Sequence, residues 1–272
     1  MGQSASWVAP DLRRKSDLKF LADPDRLFTR PECRIIKDQK KIKVGRVALE
    51  IDGEMMNVYL KRYNAFSWRY RLGSLFMTSE AYRSWQGAAL LSQAGFNVGR
   101  PLAAVEHRSL GMLQKSFYLS AEVTDGLTVD AFWDSRCKEL AGRELSRFQR
   151  SLIQELARLF GSLHRKRIYH KDLKDANILV QEQAGVRRYY FTDLEHVSEL
   201  KRLSWRRRVK NLVQLNRTLG KRFSRGRRLY FLREYLGESY LDRAERRKWI
   251  AKILEESHRA DLHSLAKTSR YE

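Results

Sequence analysis

Apolar positions show no long periodicity over residues 1–30, and from Cys33 they gather into short β-like runs. These runs fall at Arg34-Ile35-Ile36, across residues 42–51 with Val47-Ala48-Leu49-Glu50-Ile51 at the centre, and across 57–61. Asp52-Gly53 separates the second run from the third, and Asp-Gly favours a tight hairpin because glycine tolerates positive φ. The three runs predict an antiparallel meander. A loop carrying Trp68, Arg69 and Arg71 follows, and the period then changes to that of a helix. Residues 78–94 place Tyr82, Trp85, Ala89, Leu90 and Leu91 on an apolar face, with Thr78 or Ser79 as cap and Gly95 as stop. Two more strands are expected at 101–106 and 116–122. The clearest helical pattern spans 144–165, where Phe148, Leu152, Leu156, Leu159, Phe160 and Leu163 share a face. Strands at 178–180 and 188–191 flank a turn at Gly185. Helices at 205–219, 224–236 and 242–267 close the chain. The pattern divides it into a tail or strap at 1–30, a β-rich domain with one helix at 31–122, and a mainly helical domain at 123–272. The fold class is α+β.

Composition narrows the function classes. No apolar run approaches the roughly 18 residues that a membrane-spanning helix needs. The N-terminus lacks the apolar stretch of a secretory signal, although Gly2 and Ser6 match the pattern for N-myristoylation. Cys33 and Cys137 are too few for a disulfide framework or a zinc site and suit a reducing compartment. His258 and His263 lie close in sequence without a third ligand and read as surface. The charge is unusual: 54 basic against 32 acidic residues, a formal net charge of +22. Such an excess draws anionic partners at long range, whether nucleic acid, an anionic bilayer or a phosphorylated substrate.

Residues 169–180 carry the most specific chemistry. They read YHKDLKDANILV, which contains the order H-x-D-L-K-x-x-N. This is the kinase catalytic-loop pattern with Lys171 in the usual arginine position. Phosphoryl transfer needs a carboxylate to take the acceptor proton, an oxygen ligand for Mg²⁺ and positive charge near the phosphate. Asp172, Asn177 and Lys174 supply these in turn. Upstream, Val58-Tyr59-Leu60-Lys61 places a lysine at a strand end, where kinases hold the α and β phosphates of ATP. Glu80, the one acidic residue of the 78–94 helix, is the candidate partner for Lys61. Backbone groups near Glu122, at the end of the last strand before the helical domain, are placed to meet adenine. Downstream, Asp193 of Thr192-Asp193-Leu194-Glu195 sits where kinases keep the Mg²⁺-binding aspartate, with Leu-Glu in place of Phe-Gly.

The ordered set Lys61, Glu80, Asp172, Asn177 and Asp193 resembles the protein-kinase-like fold, with a small antiparallel β lobe and a larger helical lobe. More narrowly, the chain resembles the lipopolysaccharide core kinases that act on heptose or Kdo. The resemblance covers about residues 33–240 and rests on several stretches. These are Tyr59-Leu60-Lys61-Arg62-Tyr63, Ala81-Tyr82-Arg83-Ser84-Trp85 with Gly95, Arg100-Pro101-Leu102-Ala103, the 169–180 loop, Asp193-Leu194-Glu195, and 206–219. It implies ATP and Mg²⁺ as cofactors, an anionic lipopolysaccharide core glycolipid as acceptor, and a cytoplasmic place at the inner face of the inner membrane. Ser84 stands where many members carry glutamate, and no glycine-rich phosphate loop is present. Few residues follow Asp193 before the next helix, which disfavours a docked peptide and favours a sugar.

Two other readings remain. One is an atypical protein or small-molecule kinase on the same fold. The other is a pseudokinase or a module binding RNA or a membrane, in which the basic helices at 205–228 do the work. Retention of Lys61, Asp172, Asn177 and Asp193 disfavours it, and nucleic acid is the weaker of the anionic partners.

Overall fold

A computed structural model describes residues 2–10, 12, 18–51 and 53–268. The elements run β1 (Gly2–Val8), β2 (Arg34–Asp38), β3 (Ile42–Ile51), β4 (Glu54–Asn64), α1 (Trp68–Gly73), α2 (Glu80–Gln93), β5 (Asn97–Val98), β6 (Pro101–Ser109) and β7 (Met112–Ala121). They continue β8 (Leu127–Thr128), α3 (Val129–Glu139), α4 (Gly142–Arg165), β9 (Ile168–His170), β10 (Ile178–Gln183), β11 (Val186–Phe191), α5 (Trp205–Arg217), α6 (Arg225–Leu236) and α7 (Arg243–Thr268).

Two compact units result: Met1–Asp125 with Arg188–Val197, and Gly126–Arg187 with Ser198–Glu272. The division is not linear, because the chain returns to the first unit at 188–197. The return is fixed by pairing and packing. Tyr190 and Phe191 of β11 lie parallel to Asn97 and Val98 of β5, Phe96 meets Phe191 edge to face, and Leu194 packs on α2.

The first unit is built on an antiparallel sheet in the order β1-β6-β7-β4-β3-β2. β3 and β4 pair from Ile42–Tyr63 to Ile51–Glu54; Asp52 of the expected turn lies outside the described residues, and Gly53 has φ 81. Residues 1–30 are more than the expected tail or strap. β1 pairs over its whole length with β6, from Val8–Ala103 to Gly2–Ser109, and Leu12 and Leu27 join Val47, Val58, Leu60 and Phe117 in the buried core. The stretch with Trp68, Arg69 and Arg71, expected as a loop, forms the short helix α1, because the Ser67 hydroxyl accepts from the Tyr70 N–H and caps it. α2 starts at its Ser79 cap and packs against β4, β6 and β7.

The second unit is helical. α4 buries Leu152, Ile153, Leu156, Ala157, Phe160 and Leu163 along one face. It packs on α6, and α5 packs on α7. β8 and β10 form a short antiparallel pair, Leu179 with Thr128 and Val180 with Leu127. No helix among the described residues is long and apolar enough to cross a membrane.

Candidate active site

The candidate residues are divided between the two units. Lys61, Glu80, Glu122 and Asp193 belong to the first; Asp172, Lys174 and Asn177 belong to the second.

In the first unit, Lys61 lies in β4 between Val44 and Tyr118 on the neighbouring strands. Its ammonium donates to Asp193 Oδ1 at 2.6 Å. Burial pulls the lysine pKa down, but the carboxylates of Glu195 and Asp193 outweigh it, and the net shift is upward. Asp193 adopts φ 53, the left-handed region that a non-glycine residue seldom enters. Such strain persists where surrounding contacts hold it, and it collects at functional sites. Here the contact is close packing. Leu194 is buried, and its carbonyl oxygen lies so near Gly87 of α2 that a Cβ there would stand 2.2 Å away.

Glu80 is not the partner of Lys61. As the first residue of α2, it turns toward α1, where its carboxylate accepts from the Tyr70 hydroxyl and pairs with Arg83. One helical turn later Ser84 is buried, its oxygen 3.3 Å from Tyr63 Oη and 3.4 Å from Glu195 Oε2. The second carboxylate beside Lys61 is therefore Glu195, from Asp193-Leu194-Glu195 and not from the helix. Nothing in the spacing of α2 could have shown this. The clues were Ser84 in a position where glutamate is usual, and a glutamate where D-F-G has glycine.

The Glu122 carboxylate accepts two bonds from Arg46, at 2.9 and 2.8 Å, and its N–H donates to Asn57 O at 2.8 Å. Its side chain is thus structural, and what it can offer a base is its backbone carbonyl. Gly45, the lone glycine of the β2–β3 hairpin, is explained by packing: a Cβ there would stand 2.9 Å from Cys33 Sγ and 3.0 Å from Phe28 Cε1.

In the second unit the loop after β9 gathers three predicted residues. Lys174 Nζ bonds Asp172 Oδ2 at 2.9 Å. Asn177 Nδ2 donates to Asp172 O at 2.7 Å and to Oδ2 at 3.1 Å. The Asn177 nitrogen is committed to Asp172, which makes the amide oxygen the atom it can offer a cation. Asp172 itself is partly exposed, its side chain at 38%.

A buried polar chain holds this loop, and its members escaped sequence reasoning. Arg208 Nε donates to the Tyr235 oxygen at 2.8 Å. The Tyr235 hydroxyl meets His164 Nδ1 at 2.7 Å, and His164 Nε2 meets Asn211 Oδ1 at 3.0 Å. Asn211 Nδ2 donates to His170 O and to Gln214 Oε1. Gln214 takes the Leu173 N–H and gives its own N–H to Lys171 O. Because Asn211 Oδ1 can only accept, Nε2 of His164 carries the proton and Nδ1 accepts from Tyr235. Burial, with Arg208 nearby, lowers His164 to about 4 despite an opposing bond to Asn211. The signal was present as polar residues on otherwise apolar helical faces: His164 in α4, and Asn211 with Gln214 in α5.

The basic helices are less available than their composition suggests. Arg208 lies over the rings of Tyr235 and Trp249, Arg207 over Tyr169, and Arg217 pairs with Asp261.

A strand lysine held to an aspartate in one unit and an Asp-Lys-Asn loop in the other are the parts expected of a kinase of the protein-kinase-like fold. The solved structure titled "WaaP in complex with acyl carrier protein" is similar at TM-score 0.66 and 21% identity, over 94% of this chain and 98% of that chain. No curated protein matches the chain. Residues 32–235 match the lipopolysaccharide kinase (Kdo/WaaP) family, and the chain belongs to it.

Proposed function

We propose that the protein transfers the terminal phosphoryl group of ATP to a hydroxyl of heptose or Kdo in the lipopolysaccharide core, with Mg²⁺, at the cytoplasmic face of the inner membrane. The observation that carries this reading is the Asp172 carboxylate held between Lys174 and Asn177. Asp172 takes the proton of the acceptor hydroxyl, and Lys174 stabilises charge on the phosphoryl oxygens. Lys61 would hold the nucleotide phosphates in place of its bond to Asp193.

The residues present fit Mg²⁺. Asp193 and Asn177 offer only oxygen, the donor that hard cation prefers, and Mg²⁺ commonly completes its shell with water and phosphate. No cluster of three or more His, Cys, Asp or Glu ligands occurs among the described residues. When bound, the ion neutralises phosphate charge. The test is labelled ATP, Mg²⁺ and core acceptor, comparing the protein with Asp172→Ala. Transfer that falls by about 10²–10⁴ in the variant supports the reading; no transfer, or equal transfer, rejects it. A gain of about 80 Da on one core species identifies the acceptor.

One observation favours a carrier-protein partner like that bound in the WaaP structure. α5, α6 and α7 line an apolar cavity of about 590 Å³ with Leu215, Phe223, Leu232 and Ile253 in its wall and Arg225 and Arg228 beside them. Titration with acyl carrier protein in its apo and acylated forms tests it; equal or absent binding of both removes the cavity as the acyl site.

A further inference from the structure

The first unit exposes an apolar surface that its own fold leaves uncovered. Trp68 and Leu72 of α1 and Leu75, Phe76 and Met77 of the following loop are exposed, Phe76 at 92% and Trp68 at 70%. Leu110, at the β6–β7 turn, is 83% exposed. Its φ of 51 is a left-handed conformation that leucine rarely adopts. The turn and the loop form one surface. Arg108 Nη1 donates to both Ser74 O and Gly111 O, the Ser74 hydroxyl accepts from the Leu113 N–H, and a Cβ on Gly111 would lie 3.2 Å from Leu75 Cδ2. These bonds fix the backbone while the apolar side chains point outward. A contiguous apolar surface held in this way marks an interaction site.

The charge around it selects the partner. From Asn64 to Ser79 the chain carries Arg69 and Arg71 and no carboxylate. Arg69 lies 5.5 Å from the Trp68 ring centroid, and Lys41 lies 4.7 Å from that of Phe66. Aromatic rings accompanied by cations suit the boundary of a bilayer, where the ring sits at headgroup depth and the cation meets lipid phosphate. We propose that Trp68, Leu72, Phe76, Met77 and Leu110, with Arg69 and Lys41, form a surface that docks on anionic lipid bilayers. This site belongs to the β unit, whereas the basic helices α5 and α6 have several of their arginines engaged within the protein. The proposal rests on the kinase reading only for the reason a bilayer is visited, since a lipid-linked acceptor resides there.

The test is co-sedimentation with vesicles of phosphatidylethanolamine and phosphatidylglycerol, against vesicles of phosphatidylcholine alone. The Asp172→Ala protein is used alongside the native chain, so that binding is read independently of catalysis. The anionic vesicles should capture both, and the triple variant W68S/F76S/L110S should lose about ten-fold or more in partitioning at unchanged thermal stability. The variant R206S/R225S, which alters exposed cations of the helical unit, should lose less. On a water-soluble, deacylated core acceptor, the Trp68, Phe76 and Leu110 variant should turn over like the native chain. Failure of the native chain to bind anionic vesicles overturns the proposal and assigns the surface to a protein partner. Undiminished binding by W68S/F76S/L110S overturns it as well. Loss of kinase activity on every acceptor, with vesicle binding intact, would reject the kinase reading and leave the docking surface standing.

Discussion

The Lys61 ammonium donates to Asp193 at 2.6 Å, and the charge of Glu195 acts with that of Asp193 to raise its pKa against burial. The lysine therefore stays protonated although it is largely enclosed, with its side chain 20% exposed. One aspartate serves as its hydrogen-bond partner while Glu195 supports its charge. If Lys61 binds the phosphates, Glu195 should keep it poised when Asp193 turns to the cation. Glu195→Gln should raise KM for ATP about ten-fold with a smaller effect on kcat, the pattern of a lost binding contribution. Glu80→Gln, whose carboxylate faces Tyr70 and Arg83, should leave KM for ATP within about three-fold by the same measure. Steady-state kinetics in both variants decide it; equal effects would remove Glu195 from the role.

Gly87 is where α2 and the Asp193 segment touch. A methyl group there would stand 2.2 Å from Leu194 O, a backbone atom that cannot swing aside. Gly87→Ala should destabilise by on the order of 3 kcal/mol. It should also lower activity, because Leu194 lies between Asp193 and Glu195. Gly226→Ala is the control. Nothing lies near that position, and relief of glycine's backbone entropy should leave the protein unchanged or up to about 1 kcal/mol more stable. Thermal melts of both variants test the contrast.

Removal of divalent cations should abolish transfer, and Mg²⁺ should restore it. Asn177→Ala should shift the Mg²⁺ requirement upward and reduce kcat by about 10². Two contributions combine in that variant, because the Asn177 amide also anchors Asp172 through two bonds. Titrating rate against free Mg²⁺ separates them: the anchor changes the plateau, the ligand changes the midpoint. Full activity in chelator would refute the metal assignment.

The loop at 169–180 was legible because its chemistry demands given residue types at given spacings, and the meander because one buried face imposes a period of two. The Ser79 cap placed α2 to within two residues. What could not be read was which side of α2 faces Tyr63 and Glu195. Glu80 and Ser84 sit one turn apart, and the rotation of the helix is set by packing of Gly87 on Leu194, a contact distant in sequence. β1 was missed for a related reason. Its small polar residues carry little pattern of their own, and its place follows from the open edge of β6. The chain from Arg208 to Gln214 spans α4, α5 and α6, so no single helix's periodicity reveals it.

That chain makes a pH prediction. His164 is buried and neutral, with Nδ1 accepting from Tyr235 and Nε2 donating to Asn211. A proton added to Nδ1 would take away the acceptor of the Tyr235 hydroxyl and would place a buried positive charge close to that of Arg208. The folded pKa of about 4 lies below the ordinary histidine value of 6.5. Between those values the unfolded chain binds the proton and the folded chain does not. Stability is therefore fully present above about pH 6.5 and is lost as pH falls toward 4, by roughly 3 kcal/mol in all. His164→Gln should be less stable at pH 7.5 but should show a flatter dependence between pH 6.5 and 5, a window above the titration of most carboxylates. Urea unfolding of both proteins across that window measures the difference in slope. Parallel curves would show that His164 is not the titrating group. A steeper native curve would tie proton uptake at α4 to the backbone of Lys171 and Leu173, which Gln214 holds on either side of Asp172.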